Sequence, residues 1–343
     1  MGKRLLCFLI IGMVIFAGLQ FLGAAEGPAQ AASPKPTTVR LSEVVRSVFY
    51  APQYVALARG FFEDEGLTID LSTAWGADKG AAALVSGSVD IGFFGPEAAV
   101  YVYKQGAVDY ITGFAQLTRR DGSFLMSRKP MPHFKWEDVR GKSIVGARKG
   151  GVPEMVLEWI LRQHGMDPAK DVEITQNLAY TSAPGAFQAG VGDFIAQFEP
   201  TMSQMEKDGG GQIVASLGVD GGEITYTLYH ARRSFIKENP DVLQKFTNAI
   251  YRGQLWVARH SPEEIAEVIA PFFPGTDRDI LVKTIRRYKN QDSWNLTPQV
   301  SKKGFAHLQE VIEAAGELKG GPVPFEILMT NRFSDKAATA IKE

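Results

Sequence analysis

The sequence predicts an α/β protein in which two similarly wound lobes each pack helices around a mixed or parallel sheet. Strand-like segments alternate with helix-like segments over most of the chain, and glycine or proline marks many of their ends. In addition, residues 83–97 and 187–200 share one order of features: a helix, a glycine, a short strand, and an acidic residue beside a proline at a new helix start. Because one copy falls in each half of the chain, we expect two lobes of similar topology.

The first elements follow from simple local signals. Residues 39–45 are rich in branched side chains and predict a strand, and a helix is expected over residues 53–58. Gly60 can end that helix in the left-handed conformation, which glycine adopts readily. Phe61 and Phe62 then fall where apolar side chains can fold back under the helix and fix it to the sheet.

The later elements carry the same signals. Asp78 is placed to cap a helix over residues 79–86. From Asn239 onward the chain is expected to be mainly helical, with Pro240 near a helix start. Further strands are predicted at residues 67–71, 89–94, 143–147, 171–176, 194–198, 212–217 and 224–229.

The composition is that of an ordinary globular protein and disfavours several classes of function. Of 343 residues, 45% are hydrophobic and 22% are charged, and 37 basic residues nearly balance 38 acidic ones. Without a basic field or a basic run, nucleic acid and anionic membrane surfaces are poor partners. The 5 histidines are scattered without metal-ligand spacing, so we interpret them as surface or cap residues and expect no metal and no cofactor.

The N-terminus has the order of a secretory signal, with a basic tip, an apolar run and then small residues. We expect cleavage after the Ala-Gln-Ala stretch, so that residues 1–31 are a signal peptide and residues 32–38 a linker. The alternative is an uncleaved anchor helix, because the apolar run is just long enough to cross a bilayer. The only cysteine, Cys7, lies in this leader, and the mature chain would therefore have no thiol chemistry.

Three loops have the form in which wound sheets bind ligands, since strand ends meet helix N-termini there. They are residues 95–97, 149–153 and 198–200. Glu97 and Glu199 could accept hydrogen bonds from N–H groups of a ligand, or could each offset the dipole of the following helix. Gly150 and Gly151 could present bare N–H groups to an oxyanion, or could form an ordinary tight turn.

Aromatic side chains at or near strand ends form a second set of candidates, because their rings can sandwich a flat ligand. Core packing is the alternative interpretation for each of them. Trp75 is the best candidate, since a tryptophan flanked by small residues in a loop is seldom needed for a core. The set comprises Phe49, Tyr50, Trp75, Phe93 and Phe94.

Five blocks of this sequence carry a family resemblance. They are residues 56–67 (A-x-A-x-G-F-F-x-x-E-G-L), 83–97 (A-L-V-S-G-S-V-D-I-G-F-F-G-P-E), 139–144, 190–200 ending in Phe-Glu-Pro, and 235–240. In these blocks the chain resembles the periplasmic solute-binding proteins of ABC importers, in the group that binds alkanesulfonates, taurine, nitrate and thiamine-pyrimidine precursors. The resemblance spans nearly all of the mature chain.

The resemblance implies the type II periplasmic binding protein fold, in which two lobes joined by two crossover strands close on a solute. On this basis residues 39–125 would form the first part of lobe 1 and residues 126–226 would form lobe 2. Residues 227–343 would complete lobe 1 and add the C-terminal helices. We expect the first crossover near residues 122–127 and the return near residues 224–230.

The resemblance also implies a set of ligand-binding residues. Carried over by position, they are Phe49, Tyr50, Trp75, Phe94, Gly95 and Glu97 in the first lobe, and Gly150, Gly151, Phe198 and Glu199 in the second. Sulfonate binders of this family tend to carry hydroxyl residues in the helix-start loop, which residues 150–153, Gly-Gly-Val-Pro, lack. Aromatic rings with two acids suit instead a flat ring that bears N–H groups, such as an aminopyrimidine.

The implied partners are a small-molecule solute and the membrane permease and ATPase of an importer, with the protein itself a monomer. It would be secreted across the inner membrane and periplasmic, or held at the extracytoplasmic surface if the leader is retained. Alternatives are a sulfonate, taurine or nitrate binder, a membrane-anchored sensory ectodomain, or an enzyme on the same fold. Family relatives include a pyrimidine-forming enzyme that relies on Cys and His, and a mature chain without cysteine argues against that chemistry.

Overall fold

The computed structural model describes residues 36–341, which form two five-stranded sheets with helices packed against them. The first sheet contains β1 Thr37–Glu43, β2 Leu67–Thr73, β3 Ile91–Phe94, β4 Ile111–Thr118 and β10 Thr227–Arg232. The second contains β5 Ser123–Ser127, β6 Ser143–Val145, β7 Glu173–Thr175, β8 Phe194–Phe198 and β9 Gln212–Ser216. We call each sheet, with the helices packed on it, a lobe.

Both sheets have the same strand arrangement. In the first sheet the order is β2-β1-β3-β10-β4, where β1 pairs in parallel with β2 and β3, and β10 is antiparallel to β3 and β4. In the second the order is β7-β6-β8-β5-β9, where β6 is parallel to β7 and β8, and β5 is antiparallel to β8 and β9. In each sheet the antiparallel strand is the one that arrives from the other lobe. The prediction of two similarly wound lobes is therefore confirmed.

Helices cover both sheets and form most of the chain after β10. They are α1 Ala51–Ala58, α2 Phe61–Asp64, α3 Ala77–Val85, α4 Glu97–Lys104, α5 Val152–Gln163, α6 Ala183–Gln188, α7 Thr201–Lys207, α8 Leu217–Asp220, α9 Arg233–Glu238, α10 Pro240–Arg259, α11 Pro262–Ile269, α12 Arg278–Asn290, α13 Lys302–Ala314, α14 Phe325–Leu328 and α15 Arg332–Ala340. Helix α10 packs closely on α1, since a Cβ at Gly253 would lie only 2.3 Å from the carbonyl oxygen of Pro52.

The Gly-Phe-Phe motif fixes α1 and α2 to this helix. Gly60 has φ 70°, the left-handed conformation expected at a helix end. The ring of Phe62 is buried 5.1 Å from the ring of Phe246 on α10, and the guanidinium of Arg252 lies 4.2 Å from the ring centre of Phe61. The motif therefore packs the first sheet against α10, away from the space between the lobes.

Strand β4 was not predicted from the sequence, although all of its residues are buried. Its polar Thr112 and Gln116 and its Gly113 interrupt the hydrophobic run that a buried strand normally shows. The glycine is needed for packing, because a Cβ at this position would lie 2.2 Å from Cδ1 of Leu228 on the neighbouring strand.

The two chain segments that connect the lobes lie next to each other. The N–H of Ile224 donates to the carbonyl of Arg119, and the N–H of Tyr226 donates to that of Thr118. β5 pairs along its whole length with β8 and β9, so the chain has already joined the second sheet before the boundary expected between residues 125 and 126. The return strand β10 begins at Thr227.

Two local interpretations of the sequence are wrong. His230 is not a surface or cap residue: it lies on a central strand, is fully buried, and stacks on Phe94 with ring centres 4.5 Å apart. Asp78 does not cap α3, because that helix already begins at Ala77, after Gly76. Asp78 lies instead in the first turn, where its side chain is half exposed.

The predicted signal peptide, residues 1–31, and the first four linker residues, 32–35, lie outside the described residues. Thr37 and Thr38, which we expected to belong to the linker, are part of β1, where they pair with Leu67 and Thr68. Within residues 36–341 no helix is both long enough and apolar enough to cross a membrane.

Candidate functional site

A cavity of about 1130 Å³ lies between the two lobes. It is lined by the loops that follow β1, β2 and β3 in the first lobe and by those that follow β6 and β7 in the second. These are the carboxyl ends of parallel strands, where loops open and helix N-termini point toward a ligand in wound α/β sheets. The volume is ample for a small organic solute.

Glu97 is a buried carboxyl group in this cavity. It is the first residue of α4, and its Oε2 atom accepts no hydrogen bond from the residues that the structure describes. Gly95 makes room for it, because a Cβ at that position would lie 2.1 Å from Oε2. Burial raises the pKa of Glu97 to about 7, against the opposing effect of the N–H groups of Glu97 and Ala98 at the helix start. Oε2 of Glu97 is therefore a buried polar atom whose hydrogen-bonding capacity the described residues leave unused.

Aromatic rings from both lobes surround the same space. Tyr180 and Phe198 of the second lobe lie with ring centres 5.8 Å apart, and Tyr226 lies 6.5 Å from Phe198. Tyr50 contributes a further ring from the first lobe. Burial raises the pKa of Tyr50, Tyr180 and Tyr226, so their phenol groups stay protonated at neutral pH. The lining can stack against a flat molecule and offer it hydroxyl groups.

Trp75 lies at the cavity with half of its surface exposed to solvent (50%). Its φ of 58° is in the left-handed region, which costs a bulky side chain free energy. Such strain concentrates at ligand sites, where the surrounding structure holds a residue in a position that packing alone would not choose. Trp75 is therefore held at the cavity without being needed for the core.

The loop between β6 and α5 supplies the opposite wall. Gly150 has φ 78°, and its N–H donates to Oε2 of Glu154 at 3.2 Å, while the N–H of Gly151 donates to the carbonyl of Arg148 at 3.2 Å. The carbonyl of Gly150 accepts a hydrogen bond of 3.2 Å from the hydroxyl of Tyr101 on α4. The loop is thus bonded to its own helix and also to the first lobe.

A second contact between the lobes is the ion pair of Asp78 with Arg148, whose Oδ1 and Nη2 atoms are 3.1 Å apart. Both side chains are about half exposed, so this pair contributes little to stability. Together with the bond between Tyr101 and Gly150, it links the two lobes at residues that line the cavity. The lobes are therefore in contact around the space that a ligand would fill.

Seven of the ten predicted site residues line this cavity. They are Tyr50, Trp75, Gly95, Glu97, Gly150, Gly151 and Phe198. Phe49 is enclosed by other rings instead, with Tyr288 at 4.9 Å and Tyr226 at 5.6 Å. Phe94 is turned into the first lobe, where it stacks on His230. Both phenylalanines are core residues, which was the alternative interpretation of each.

Glu199 also does not line the cavity. Its carboxylate accepts hydrogen bonds from the N–H of Ser203 at 2.7 Å and from the Ser203 hydroxyl at 2.8 Å, and it forms an ion pair with Arg287. Because the side chain is fully buried among these partners, it stabilises the start of α7 and has no free acceptor for a ligand. The helix-dipole interpretation of Glu199 is the one that this geometry supports.

Sequence reasoning missed several lining residues, among them Tyr101, Tyr180, Gln197, Tyr226 and Thr227. Tyr101 could have been found, since it lies one helical turn after Glu97 and the two side chains must share a face of α4. Nothing in the local sequence marks Tyr180, which lies in the loop between β7 and α6.

The described lining of the site has no cluster of metal ligands. Among residues 36–341 there is no group of three or more His, Cys, Asp or Glu side chains placed to hold a metal ion. Of the described residues that line the cavity, none is a histidine or a cysteine. The site is therefore suited to hydrogen bonding and stacking.

Comparison with known proteins identifies relatives of this chain. Residues 49–265 match the family model described as NMT1/THI5 like. The chain is 42% identical over 303 residues to the candidate binding protein YtlA of Bacillus subtilis (strain 168), covering 88% of this chain and 90% of that protein. These matches extend over both lobes.

Two more distant relatives have names that specify a ligand or a reaction. The riboflavin-binding protein RibY of Chloroflexus aurantiacus is 23% identical over 329 residues, covering 90% of each protein. The 4-amino-5-hydroxymethyl-2-methylpyrimidine phosphate synthase of Candida albicans (strain WO-1) is 25% identical over 257 residues, covering 70% of this chain and 72% of the enzyme.

A solved structure establishes the fold. The alkanesulfonate-binding protein SsuA from Xanthomonas axonopodis pv. citri, bound to MOPS, superposes with a TM-score of 0.70 at 17% sequence identity, covering 87% of this chain and 100% of that one. This similarity concerns the architecture of the two lobes. From these matches we conclude that the chain belongs to the NMT1/THI5-like family and has the fold of the periplasmic binding proteins.

Proposed function

We propose that this protein is the extracytoplasmic solute-binding component of an ABC importer, and that its lobes close on a small, flat heteroaromatic solute that donates N–H hydrogen bonds. The observation that carries this proposal is Glu97, a buried carboxyl group with no hydrogen-bond donor to Oε2 among the described residues. Buried polar groups are nearly always hydrogen-bonded in native proteins. A ligand that donates a hydrogen bond to Glu97 satisfies it, whereas an oxyanion is repelled by the ionised form.

The aromatic lining supports the shape of this solute. Trp75 at the rim and the rings of Tyr50, Tyr180 and Phe198 offer stacking surfaces for a planar molecule. The relatives support the same chemical class, since riboflavin and an aminopyrimidine are both flat heteroaromatic rings with N–H groups. Within this class we favour a solute resembling a thiamine-pyrimidine precursor.

A binding role is favoured over catalysis by the residue types around the cavity. Its described lining contains neither Cys nor His, and YtlA, the relative at 42% identity, is named as a binding protein. The partners of such a protein are the permease and the ATPase of an importer. Turnover of a candidate solute by the purified protein would instead favour the enzyme alternative suggested by the pyrimidine synthases.

A sulfonate, taurine or nitrate binder is the second candidate. The observation in its favour is the glycine loop at the start of α5, which faces the cavity and has the form of an oxyanion site. In that case the anchor would be Gly150 and Gly151, and Glu97 would act only at the start of its helix.

The first experiment is thermal unfolding of the purified protein, stripped of bound solute, with aminopyrimidines, flavins, alkanesulfonates, taurine and nitrate. A ligand at one hundred times its Kd adds about 2.7 kcal/mol to the free energy of unfolding, which raises Tm by several degrees. We expect shifts only with the N–H-bearing rings. A shift confined to sulfonates or nitrate would contradict the proposal.

The site assignment is tested with Glu97→Gln, measured by calorimetric titration of the solute that gives the largest shift. Because a hydrogen bond to a charged group contributes about 1.5–3 kcal/mol, we expect the Kd to rise at least about ten-fold. Glu158→Gln is the control, since Glu158 is also a partly buried helix glutamate but does not line the cavity. Equal affinity in Glu97→Gln and the control would remove Glu97 from the site.

A further inference from the structure

The loop at the start of α5 has the form of an oxyanion site, but the N–H groups of its two glycines are already used by the chain. The N–H of Gly150 donates to Glu154 and the N–H of Gly151 donates to Arg148. Pro153 has no N–H, so the first turn of the helix lacks a donor at that position. An arriving sulfonate or nitrate would therefore have to displace existing hydrogen bonds.

Glu154 is held firmly in this arrangement. Its side chain is buried, with 1% of the residue exposed. One carboxylate oxygen, Oε2, accepts from Gly150 at 3.2 Å, and the other, Oε1, accepts from Nε2 of Gln176 at 2.6 Å. An acidic group at a helix N-terminus occupies the position that a bound anion would otherwise take. The chain thus supplies its own carboxyl oxygen as the acceptor for the Gly150 N–H.

Gly150 is held through both of its peptide groups. Its N–H, in the Lys149–Gly150 peptide, is bonded to Glu154, and its carbonyl, in the Gly150–Gly151 peptide, accepts from the hydroxyl of Tyr101 in the first lobe. Turning the Lys149–Gly150 peptide so that its N–H faced the cavity would break the bond to Glu154. The other end of the cavity presents Glu97, whose Oε2 lacks a donor in the described part of the chain. The bonded Gly150 N–H and the carboxyl group of Glu97 therefore both disfavour an anion, whereas Lys79, Arg148 and Lys149, which also line the cavity, would attract one.

We propose that Glu154 is a specificity-determining residue that excludes oxyanions by occupying the Gly150 N–H at the start of α5. This inference deepens the proposed function, since it concerns the ligand selectivity of the same cavity. Glu154 acts through the loop, and its effect is to withhold the Gly150 N–H from a ligand that could only accept a hydrogen bond.

The test measures sulfonate binding where repulsion by Glu97 has been removed. Calorimetric titrations with ethanesulfonate, taurine and nitrate compare Glu97→Gln with the double variant Glu97→Gln/Glu154→Ala. We expect at least ten-fold tighter sulfonate binding in the double variant, because the Gly150 N–H becomes free. Glu97→Gln/Glu154→Gln should show no gain, since the amide oxygen can still accept from Gly150.

The matched control is Glu97→Gln/Glu158→Ala. Glu158 shares the Gln176 donor with Glu154 and binds Arg162, but it makes no hydrogen bond to the loop, so its loss should leave sulfonate affinity unchanged. An equal gain from the Glu158 and Glu154 substitutions would overturn the proposal. So would a folded Glu154→Ala double variant that binds sulfonate no better than Glu97→Gln.

A measurement on the unmodified protein covers the case in which the Glu154→Ala variant does not fold. The proposal predicts that the amide resonance of Gly150 does not move when ethanesulfonate is added at millimolar concentration, and a saturable shift of that resonance would overturn it. Neither experiment depends on heteroaromatic binding. If no heteroaromatic ligand binds, the proposed function is rejected. The comparison of sulfonate affinities between the variants can still be interpreted.

Discussion

The two lobes use buried glutamates at helix starts in opposite ways. In the second lobe, Glu154 is bonded to Gly150 and Gln176, and Glu199 is bonded to Ser203 and Arg287. In the first lobe, Oε2 of Glu97 has no such partner within residues 36–341. The second lobe uses these two glutamates to fix its own loops, whereas the first lobe leaves one oxygen of Glu97 without a partner among the described residues. A glutamate at a helix start can therefore have either role, and only its hydrogen-bond partners in the folded protein show which one it has.

Glu199→Ala should have the largest effect and should act on stability. Removing the buried carboxylate leaves the Ser203 groups without their acceptor and leaves Arg287 with Glu206 alone, so we expect the free energy of unfolding to fall by about 3 kcal/mol. Urea unfolding measures this loss. Solute affinity of the folded fraction should change less than about three-fold, and a lost affinity with unchanged stability would reverse the roles assigned to Glu97 and Glu199.

Glu97→Gln should raise the free energy of unfolding of the ligand-free protein, whereas Glu199→Ala should lower it. Burial raises the pKa of Glu97 from its ordinary value of 4.5 to about 7, so the folded state holds this proton more tightly than the unfolded state does. The stability that this group contributes is complete below pH 4.5 and is lost as the pH rises through 7. At pH 8 we expect Glu97→Gln to raise the free energy of unfolding by an amount on the order of 2 kcal/mol.

Urea unfolding of the two proteins at pH 5 and at pH 8 measures that difference. The gain in the free energy of unfolding from Glu97→Gln should be clearly larger at pH 8, where Glu97 of the unsubstituted protein is charged. An advantage that is equal at both pH values, or larger at pH 5, would show that Glu97 is already satisfied within the fold, as Glu199 is.

Trp75→Ala should weaken binding and leave folding nearly unchanged. The side chain is half exposed and lies at the rim of the cavity, so its removal costs little core packing. A lost stacking contact of about 1 kcal/mol corresponds to a Kd about five-fold higher. Titration gives the Kd, and thermal unfolding without ligand should agree with the unsubstituted protein to within one or two degrees.

Arg148→Ala should have the smallest effect and should act on ligand release. The Asp78–Arg148 pair joins the rims of the lobes but is exposed, and such pairs contribute about 0.2–1 kcal/mol. We expect the dissociation rate to rise two- to three-fold in stopped-flow measurements at low salt, with the difference shrinking in 0.5 M salt. Asp78→Ala should behave alike, and a double substitution should add nothing further.

Much of the fold could be predicted because its signals are local. Gly60 with its two phenylalanines, the proline and glycine punctuation, and the pair of similar segments at 83–97 and 187–200 depend only on neighbouring residues. The strand β4 could not be predicted in this way, since Gly113 is explained by close contacts with Leu228 on the adjacent strand and with Met329, both more than one hundred positions later in the chain.

The site could be predicted in part for the same reason. Residues that follow strand ends, such as Gly95 and Glu97, were found because topology directs those loops to the cavity. Phe49 and Tyr50 are neighbours, yet only Tyr50 faces the cavity, and the direction of a side chain in a short turn is set by tertiary packing. The role of Glu199 depends on Arg287, which lies 88 positions away.

The strand order has a consequence for the sequence of folding events. The second sheet consists of residues between Ser123 and Ser216 alone, whereas the first needs β10 between β3 and β4, with helices α10 and α15 over it. Because the strands of the second sheet follow one another in the sequence, that sheet closes shorter loops than the first, which must bring β10 back from beyond the whole second sheet. We expect pulsed hydrogen exchange during refolding to protect β5, β6 and β8 before β3 and β4, and simultaneous protection would contradict this order.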